Sequence, residues 1–253
     1  MTRAINLKSQ KEIQIMRKAN RIVAETLVML GTIVAPGIST LELDQCAEAF
    51  AREKGAVPAF KGYRGFPGSL CVSLNEEVVH GIPSARVVLK EGDIVSIDFG
   101  VKFEGYYGDA AVTLPVGIIK ADREKLINVT RDALMVAVAE ARVGNRVNDI
   151  SRAVQMHVER YGFSVVRQFV GHGIGSQLHE PPEIPNYHRH EITPRLLPGM
   201  VLAIEPMVNA GSYEVRVLKD GWTVVSVDRS CSAHFEHTVL VTDGLPEILS
   251  SCV

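Results

Sequence analysis

The sequence predicts an α+β fold made of two pseudo-symmetric halves that pack as one domain. Three observations predict it: two pairs of amphipathic helices, an apolar strand segment after each pair, and a constant spacing of 107 residues between matching features. The chain has 253 residues, 46% of them hydrophobic and 22% charged, which is enough apolar material for a sizeable core. A net charge of −2 gives no indication of a nucleic-acid or membrane surface.

The first helix pair is predicted by two capping signatures. Ser9 with Glu12 opens the first helix and Ser39 with Glu42 opens the second, because a serine and a glutamate three positions later satisfy each other's free backbone donors. Gly31 is the predicted end of the first helix, and the second ends near Gly55. Apolar residues recur at helical spacing at Ile13, Met16, Val23, Leu27 and Leu30, and again at Leu43, Ala47 and Phe50.

The second helix pair follows the same pattern. A helix is predicted from Asp122 to Val143, with Gly144 as its stop, and a shorter one from about Asn148 to Tyr161. Its apolar face is formed by Leu126, Val129, Ala133, Val136 and Ala137.

Matching features of the halves lie at one separation. Gly37 and Gly144 are 107 positions apart, and the segments LKEGDIVSID (89–98) and LLPGMVLAIE (196–205) repeat that separation. The two segments end on Asp98 and Glu205, so two acids occupy equivalent places in a predicted duplication.

In the first half, two acids lie in an apolar hairpin. A strand ending DIVSIDFG and a partner GYYGDAAVTLP, joined by a turn at 102–105, would place Asp98 directly opposite Asp109 if residue 101 pairs with residue 106. Like charges in such a position destabilise a hairpin unless cations lie between them.

The second half adds three further candidates. Glu205 ends an apolar strand before Pro206, Glu236 lies within the predicted strand SAHFEHTVLV on the face of His234 and Thr238, and His172 lies in the loop GHGIG. Each has an ordinary structural explanation: a strand-edge acid, a strand end at the surface, a hydrogen-bonded histidine. As a set, four carboxylates and one imidazole suit a divalent metal such as Mn²⁺, Fe²⁺, Co²⁺ or Zn²⁺.

Across nearly its whole length the sequence resembles the methionine aminopeptidases, of the short, bacterial-style type I. The resemblance is carried by NEEVVHGIP around His80, GDIVSIDFG with GDAAVT, GHGIGSQLHEPP, LAIEPM and FEHTVL, in this order. It implies the pita-bread (creatinase/aminopeptidase) fold, in which two α+β halves surround a curved antiparallel sheet, with residues 1–253 forming a single catalytic domain.

The resemblance also implies the cofactors and the reaction. Two divalent ions (Co, Mn, Fe, Zn or Ni) would be held by Asp98, Asp109, His172, Glu205 and Glu236, with Asp109 and Glu236 bridging them. A hydroxide shared by the ions would attack the first peptide carbonyl and release an N-terminal methionine that precedes a small residue. Glu205 would move the proton, His179 would bind the carbonyl oxygen, and His80 would contact the peptide near the scissile nitrogen.

The methionine pocket is expected to be apolar. The positions matching the family's pocket are Phe60, Tyr63, Phe66, Cys71, Leu178 and Trp222, with His80 and His179 also contacting substrate. Phe60 and Leu178 depart from the residues of some relatives, and ordinary core packing is the competing explanation for each position.

The expected partner is the N-terminal methionine of nascent polypeptides. The resemblance implies a cytoplasmic monomer that associates transiently with the ribosome, and four scattered cysteines agree with a reducing compartment. Neither a nucleic-acid substrate nor a membrane is expected.

Two other functions compete with this interpretation. An X-Pro peptidase of the same fold uses the same ligands, but usually has a large extra N-terminal domain, whereas only about 80 residues precede His80 here. A binding protein that has lost its chemistry would be expected to lack at least one ligand. A two-histidine, one-carboxylate iron site fits poorly, because carboxylates outnumber histidines.

Overall fold

The structure is a computed structural model and describes residues 5–251; Cys252 and the ends of the predicted domain lie outside that range. It contains α1 (Gln10–Ile33), α2 (Thr40–Glu53), α3 (Ala121–Ala139) and α4 (Val147–Arg160). No helix within 5–251 is long and apolar enough to cross a membrane.

The helix starts agree closely with the sequence. Both predicted capping boxes are formed, at Ser9 with Glu12 and at Ser39 with Glu42. Two predicted ends are wrong. Gly31 keeps helical geometry, and α1 continues to Ile33. α3 ends four residues before Val143, because the side chain of Asn145 turns back and donates to the carbonyl of Glu140.

The strands are short except for one hairpin. Their bounds are β1 Val57–Pro58, β2 Cys71–Leu74, β3 Glu77–Val79, β4 Ile94–Phe103, β5 Tyr106–Pro115, β6 Ser164–Val165, β7 Gly171–Gly173, β8 Glu180–Ile184, β9 Val201–Ile204, β10 Met207–Asn209, β11 Val215–Val217, β12 Val224–Ser226, β13 Ser232–His234, β14 Glu236–Leu240 and β15 Glu247–Ile248.

Nine strands form the main antiparallel sheet. Its order is β1-β4-β5-β14-β9-β7-β8, with β2 also pairing with β4 and β15 with β14. The other six strands form two three-stranded sheets, β13-β10-β6 and β11-β12-β3. Two α+β halves around an antiparallel main sheet are the architecture of the pita-bread fold expected from the resemblance.

The duplication is visible in individual contacts. Adding the spacing found in the sequence to α2 gives the bounds of α4, and the isolated bridge Ser39–Val88 becomes the bridge Arg146–Arg195. The backbone bond from Leu89 to Ile38 recurs from Leu196 to Asn145. The second helices of the two halves, α2 and α4, are therefore attached to the chain around them by matching backbone contacts.

The helices cover one face of the main sheet. Ile97, Phe99 and Val101 of β4 pack into a core with α1 and α2, while the core of the other half surrounds α3 and α4. Because side chains alternate along a strand, Asp98 points to the face away from the helices.

The register of the β4–β5 hairpin differs from the predicted one. Phe103 pairs with Tyr106, so the connection has only two residues, Glu104 and Gly105, both with positive φ (47° and 89°). Such a two-residue turn matches the twist of the strands. The hairpin is therefore longer than predicted, and Asp98 lies opposite Ala111 rather than opposite Asp109.

The shift is by two positions, so the predicted face is kept. Asp109 pairs with Gly100, two residues beyond Asp98 on the same side of β4. The two carboxylates are diagonal neighbours.

The predicted strand SAHFEHTVLV is interrupted. At Phe235 the chain passes from β13, which pairs with β10, to β14, which pairs with β9 and β5. The partner strand is interrupted at the same level, where Glu205 and Pro206 separate β9 from β10. Glu205 and Glu236 therefore both lie where the chain changes sheets.

Candidate metal and peptide site

Five neighbouring strands each contribute one predicted ligand. In sheet order these are Asp98 (β4), Asp109 (β5), Glu236 (β14), Glu205 (after β9) and His172 (β7). The register aligns them, since Ala111 pairs with both Asp98 and Glu236, and Ala203 of β9 pairs with His172. The structure thus brings all five to one face of the sheet.

Several of these oxygens are buried and have no hydrogen-bond partner among residues 5–251. They are Asp98 Oδ1, Asp109 Oδ1 and Glu236 Oε1. A buried carboxylate oxygen without a partner is costly, unless a ligand satisfies it. Ligand atoms of Asp109, His172 and Glu236 lie within 4.8 Å of one another. Oxygen donors with one imidazole fit divalent metal ions.

The raised pKa values of the four carboxyl groups also indicate a cation site. Burial, reinforced by neighbouring carboxylates, raises the pKa of Asp109 and of Glu236 well above the usual range. Burial raises the pKa of Asp98 and that of Glu205 to about 7. Each of four neighbouring carboxylates makes ionisation of the others less favourable, and a bound cation offsets this repulsion.

Two imidazoles flank the carboxylate of Glu205. His172 Nε2 lies 3.6 Å from Oε1, and His234 Nε2 lies 3.5 Å from Oε2. His172 Nδ1 lies 2.9 Å from the carbonyl oxygen of Gly173, which orients Nε2 toward the site. No role for His234 is predicted from the sequence, where the one indication is the strand face that it shares with Glu236.

His179 is placed by a tyrosine. Its Nδ1 lies 2.9 Å from the hydroxyl of Tyr63, and its ring centroid is 4.2 Å from that of His172. Burial, and then the nearby His172 and Arg64, lower the pKa of His179 to about 3, so the ring is neutral at physiological pH.

His80 also lies at the site. Its backbone has positive φ (61°), and its ring packs edge-on against Phe169 and Trp222. Burial, followed by the neighbouring His234, lowers the pKa of His80 to about 4.

All predicted site residues line one cavity of about 150 Å³. Its walls include the six predicted pocket residues, Phe60, Tyr63, Phe66, Cys71, Leu178 and Trp222. Burial and nearby carboxylates raise the pKa of the Cys71 thiol, so it stays protonated and acts as part of the wall. Arg64, an exposed residue of a surface turn, also lines the cavity and was not predicted.

The fold and the site are similar to those of proteins with known activity. The model of metallopeptidase family M24 matches residues 14–243. The chain is 56% identical over 243 residues to methionine aminopeptidase 1 of Bacillus subtilis, covering 96% of this chain and 98% of that relative.

Solved structures agree with these matches. The methionine aminopeptidase of Thermotoga maritima matches with a TM-score of 0.96 and 45% identity, over 98% of this chain and 100% of that one. The prolidase of Pyrococcus furiosus, with a TM-score of 0.80 and 23% identity, covers 98% of this chain and 66% of its own, and shows a shared fold alone.

Proposed function

The chain belongs to metallopeptidase family M24, among its methionine aminopeptidases, and on this premise we propose that it removes the N-terminal methionine of nascent polypeptides whose second residue is small. The observation that carries the proposal is the row of five ligands on adjacent strands, three of whose carboxylates have unpartnered buried oxygens, at the wall of a partly apolar cavity.

Asp98, Asp109, His172, Glu205 and Glu236 would hold two divalent metal ions. When bound, the ions supply a hydroxide near neutral pH and a positive charge that polarises the carbonyl. Asp109 and Glu236 lie on the paired strands β5 and β14 within the ligand row, and both would be among the residues that hold the ions. The oxygen-rich set suits Co, Mn, Fe, Zn or Ni, without selecting one.

Glu205 is the residue proposed to move the proton. Because this carboxylate lies within the ligand row, it would take a proton from the attacking water and return it to the leaving amine. The flanking imidazoles of His172 and His234 restrict its orientation.

His179 and His80 would act as neutral donors. If the hydroxyl of Tyr63 donates to Nδ1 of His179, then Nε2 of that ring carries its proton and donates to the carbonyl oxygen as negative charge develops there. His80, held between Phe169 and Trp222, would contact the peptide beside the scissile bond.

The cavity wall is suited to an unbranched apolar side chain. Phe60, Phe66, Cys71 and Leu178 are buried, and they form one apolar cluster with Tyr63 and Trp222.

The X-Pro peptidase remains the rival within this fold, and three peptides separate the two activities. Metal-loaded protein should release methionine from Met-Ala-Ser, act far more slowly on Met-Lys-Ser, and leave Ala-Pro-Ser intact. Glu205→Gln, which keeps the shape of the side chain, should abolish turnover. Cleavage of the proline peptide would place the chain with the X-Pro enzymes. Peptide binding without turnover and without stoichiometric metal would indicate a binding scaffold.

We propose further that residues 1–253 act as one catalytic domain in a cytoplasmic monomer that meets its substrates at the ribosome. The resemblance to bacterial methionine aminopeptidases supports this. Sedimentation velocity tests the oligomeric state, and pelleting with translating ribosomes at low and high salt tests the association.

A further inference from the structure

A buried ion pair joins the segment before α1 to the loop between β7 and β8. Lys8 Nζ lies 2.8 Å from Glu180 Oε2, and the two side chains are 5% and 3% exposed. A buried ion pair is weak evidence of a stabilising role, because desolvation offsets much of the attraction. The remaining contacts of the two groups show what this pair does.

The carboxylate of Glu180 holds the loop through its other oxygen. Oε1 accepts hydrogen bonds from the backbone nitrogen of Gln177 (3.1 Å) and from the hydroxyl of Ser176 (3.5 Å). Both donors lie within three residues of His179. The side chain of Glu180 therefore binds the loop through Oε1 and Lys8 through Oε2.

The ammonium of Lys8 is fixed from its own side. Nζ also donates to the carbonyl of Asn6 (3.0 Å), and the backbone nitrogen of Lys8 donates to Gly199 (2.8 Å). The loop backbone touches both partners at Gly175, where an added Cβ would lie 2.5 Å from Lys8 Cε and 2.7 Å from Glu180 Oε1. At Gly175 the pair and the loop backbone are therefore in close contact.

The loop carries two residues of the cavity. Residues 174–179 form no helix or strand, and they end in Leu178 and His179, which both line the cavity. The first part of the loop is tied to its neighbours at Ile174 and Gly175. Beyond Gly175, the side chain of Glu180 bonds to Ser176 and Gln177, the backbone N–H of Gly175 donates to the carbonyl of Gln177, and the backbone of Glu180 pairs with Gly173. The side chain of Glu180 therefore contributes to the position of the segment that carries His179.

We propose that the Lys8–Glu180 pair is a positioning element for His179, which sets the distance of that ring from Tyr63 and His172 although Lys8 itself lies outside the cavity. The proposal rests on the role proposed for His179 in the reaction. A carboxylate without its cation would rotate toward solvent, release Ser176 and Gln177, and let the loop move.

Steady-state kinetics of variants that lack one or both charges of the pair test the proposal. Metal-loaded Lys8→Met should lose about 10- to 100-fold in kcat with a smaller change in KM, since a displacement of about 1 Å is enough for such a loss. In the double variant Lys8→Met/Glu180→Gln, the glutamine still accepts from the loop and no charge is left buried, so most of kcat should return. Arg17→Met is the matched control, because it breaks the ion pair between α1 and Glu247 (2.7 Å) away from the loop; its kcat should stay within about twofold.

A readout independent of turnover accompanies the kinetics. The ring ¹⁵N signals of His179 should shift in Lys8→Met, and not in Arg17→Met, while the metal content of both stays that of the wild type. A folded, metal-loaded Lys8→Met with unchanged kcat and unchanged His179 signals would overturn the proposal, as would a loss explained by missing metal. If His179→Ala itself leaves kcat unchanged, the catalytic role of His179 fails, whereas the ¹⁵N shift still reports on the pair.

Discussion

The hydroxyl of Tyr63 lies 2.9 Å from Nδ1 of His179, and the two rings stack with their centroids 5.3 Å apart. A hydroxyl that donates to Nδ1 places the remaining ring proton on Nε2. The same contact holds the ring at a fixed angle. One tyrosine thereby sets both the tautomer and the direction of the proposed donor.

Tyr63→Phe is expected to lower kcat while leaving the methionine pocket nearly unchanged, because the aromatic wall remains and only the hydroxyl is lost. A tenfold decrease is of the order expected when a contact that orients a donor is removed, and His179→Ala should cost about 100-fold or more, as for loss of an oxyanion donor. Steady-state kinetics on Met-Ala-Ser check this. An unchanged kcat in Tyr63→Phe would show that the hydroxyl does not orient the ring.

Metal binding is expected to release protons in a pH-dependent way. With pKa values of about 7, Asp98 and Glu205 are largely protonated in the metal-free chain at about pH 6, and a bound cation requires their ionised forms. The share of this release that comes from Asp98 and Glu205 should therefore be largest below pH 7 and decrease toward about pH 8.5, while apparent affinity rises through this range. Titration calorimetry in two buffers of different ionisation enthalpy measures the released protons. Equal heats in both buffers at about pH 6 would contradict the assignment.

His234→Ala is expected to weaken divalent-metal binding by about 10- to 100-fold, the usual effect of removing a partner that orients a ligand. The reason is the 3.5 Å contact between its Nε2 and Oε2 of Glu205. His234→Gln should recover part of the affinity, because its side-chain amide supplies a polar donor facing that oxygen. His237→Ala is the matched control, since this side chain contacts Ser250 on the other face of β14. Equal metal affinity in the wild type and His234→Ala would show that His234 does not contribute to metal binding.

How far the sequence predicts this molecule depends on whether a signal is local. The capping boxes are local patterns and predicted the starts of α1 and α2, and the local helical pattern predicted the start of α4 to within one residue. The five acidic and imidazole candidates stood out because charged groups are unexpected in apolar strands. The hairpin register was predicted wrongly, since Glu104 adopts positive φ and nothing in its side chain signals this. Arg64 and the contact of His234 with Glu205 depend on a surface turn and on a strand that breaks at Phe235, neither of which has a sequence pattern.

The packing of α1 on β5 provides a stability prediction at Gly108, the residue before Asp109. An added Cβ there would lie 2.8 Å from the backbone carbon of Ala19 and 2.8 Å from the nitrogen of Asn20, so helix and strand would have to separate. Asn20 Oδ1 also accepts the backbone N–H of Asp109 at 3.3 Å, so that separation would disturb the strand beside a proposed ligand.

Gly108→Ala is therefore expected to lower the free energy of unfolding by about 1–3 kcal/mol, the usual cost of overpacking, and to weaken metal binding. Gly31→Ala is the matched control within α1: its Cβ would meet only Leu114 Cδ1 at 3.7 Å, and alanine in a helix should add about 0.4–1 kcal/mol. Urea unfolding of the metal-free variants gives both values. If Gly108→Ala proved as stable as the wild type, α1 would have to be free to move away from β5, and the close packing would not be what fixes Asp109.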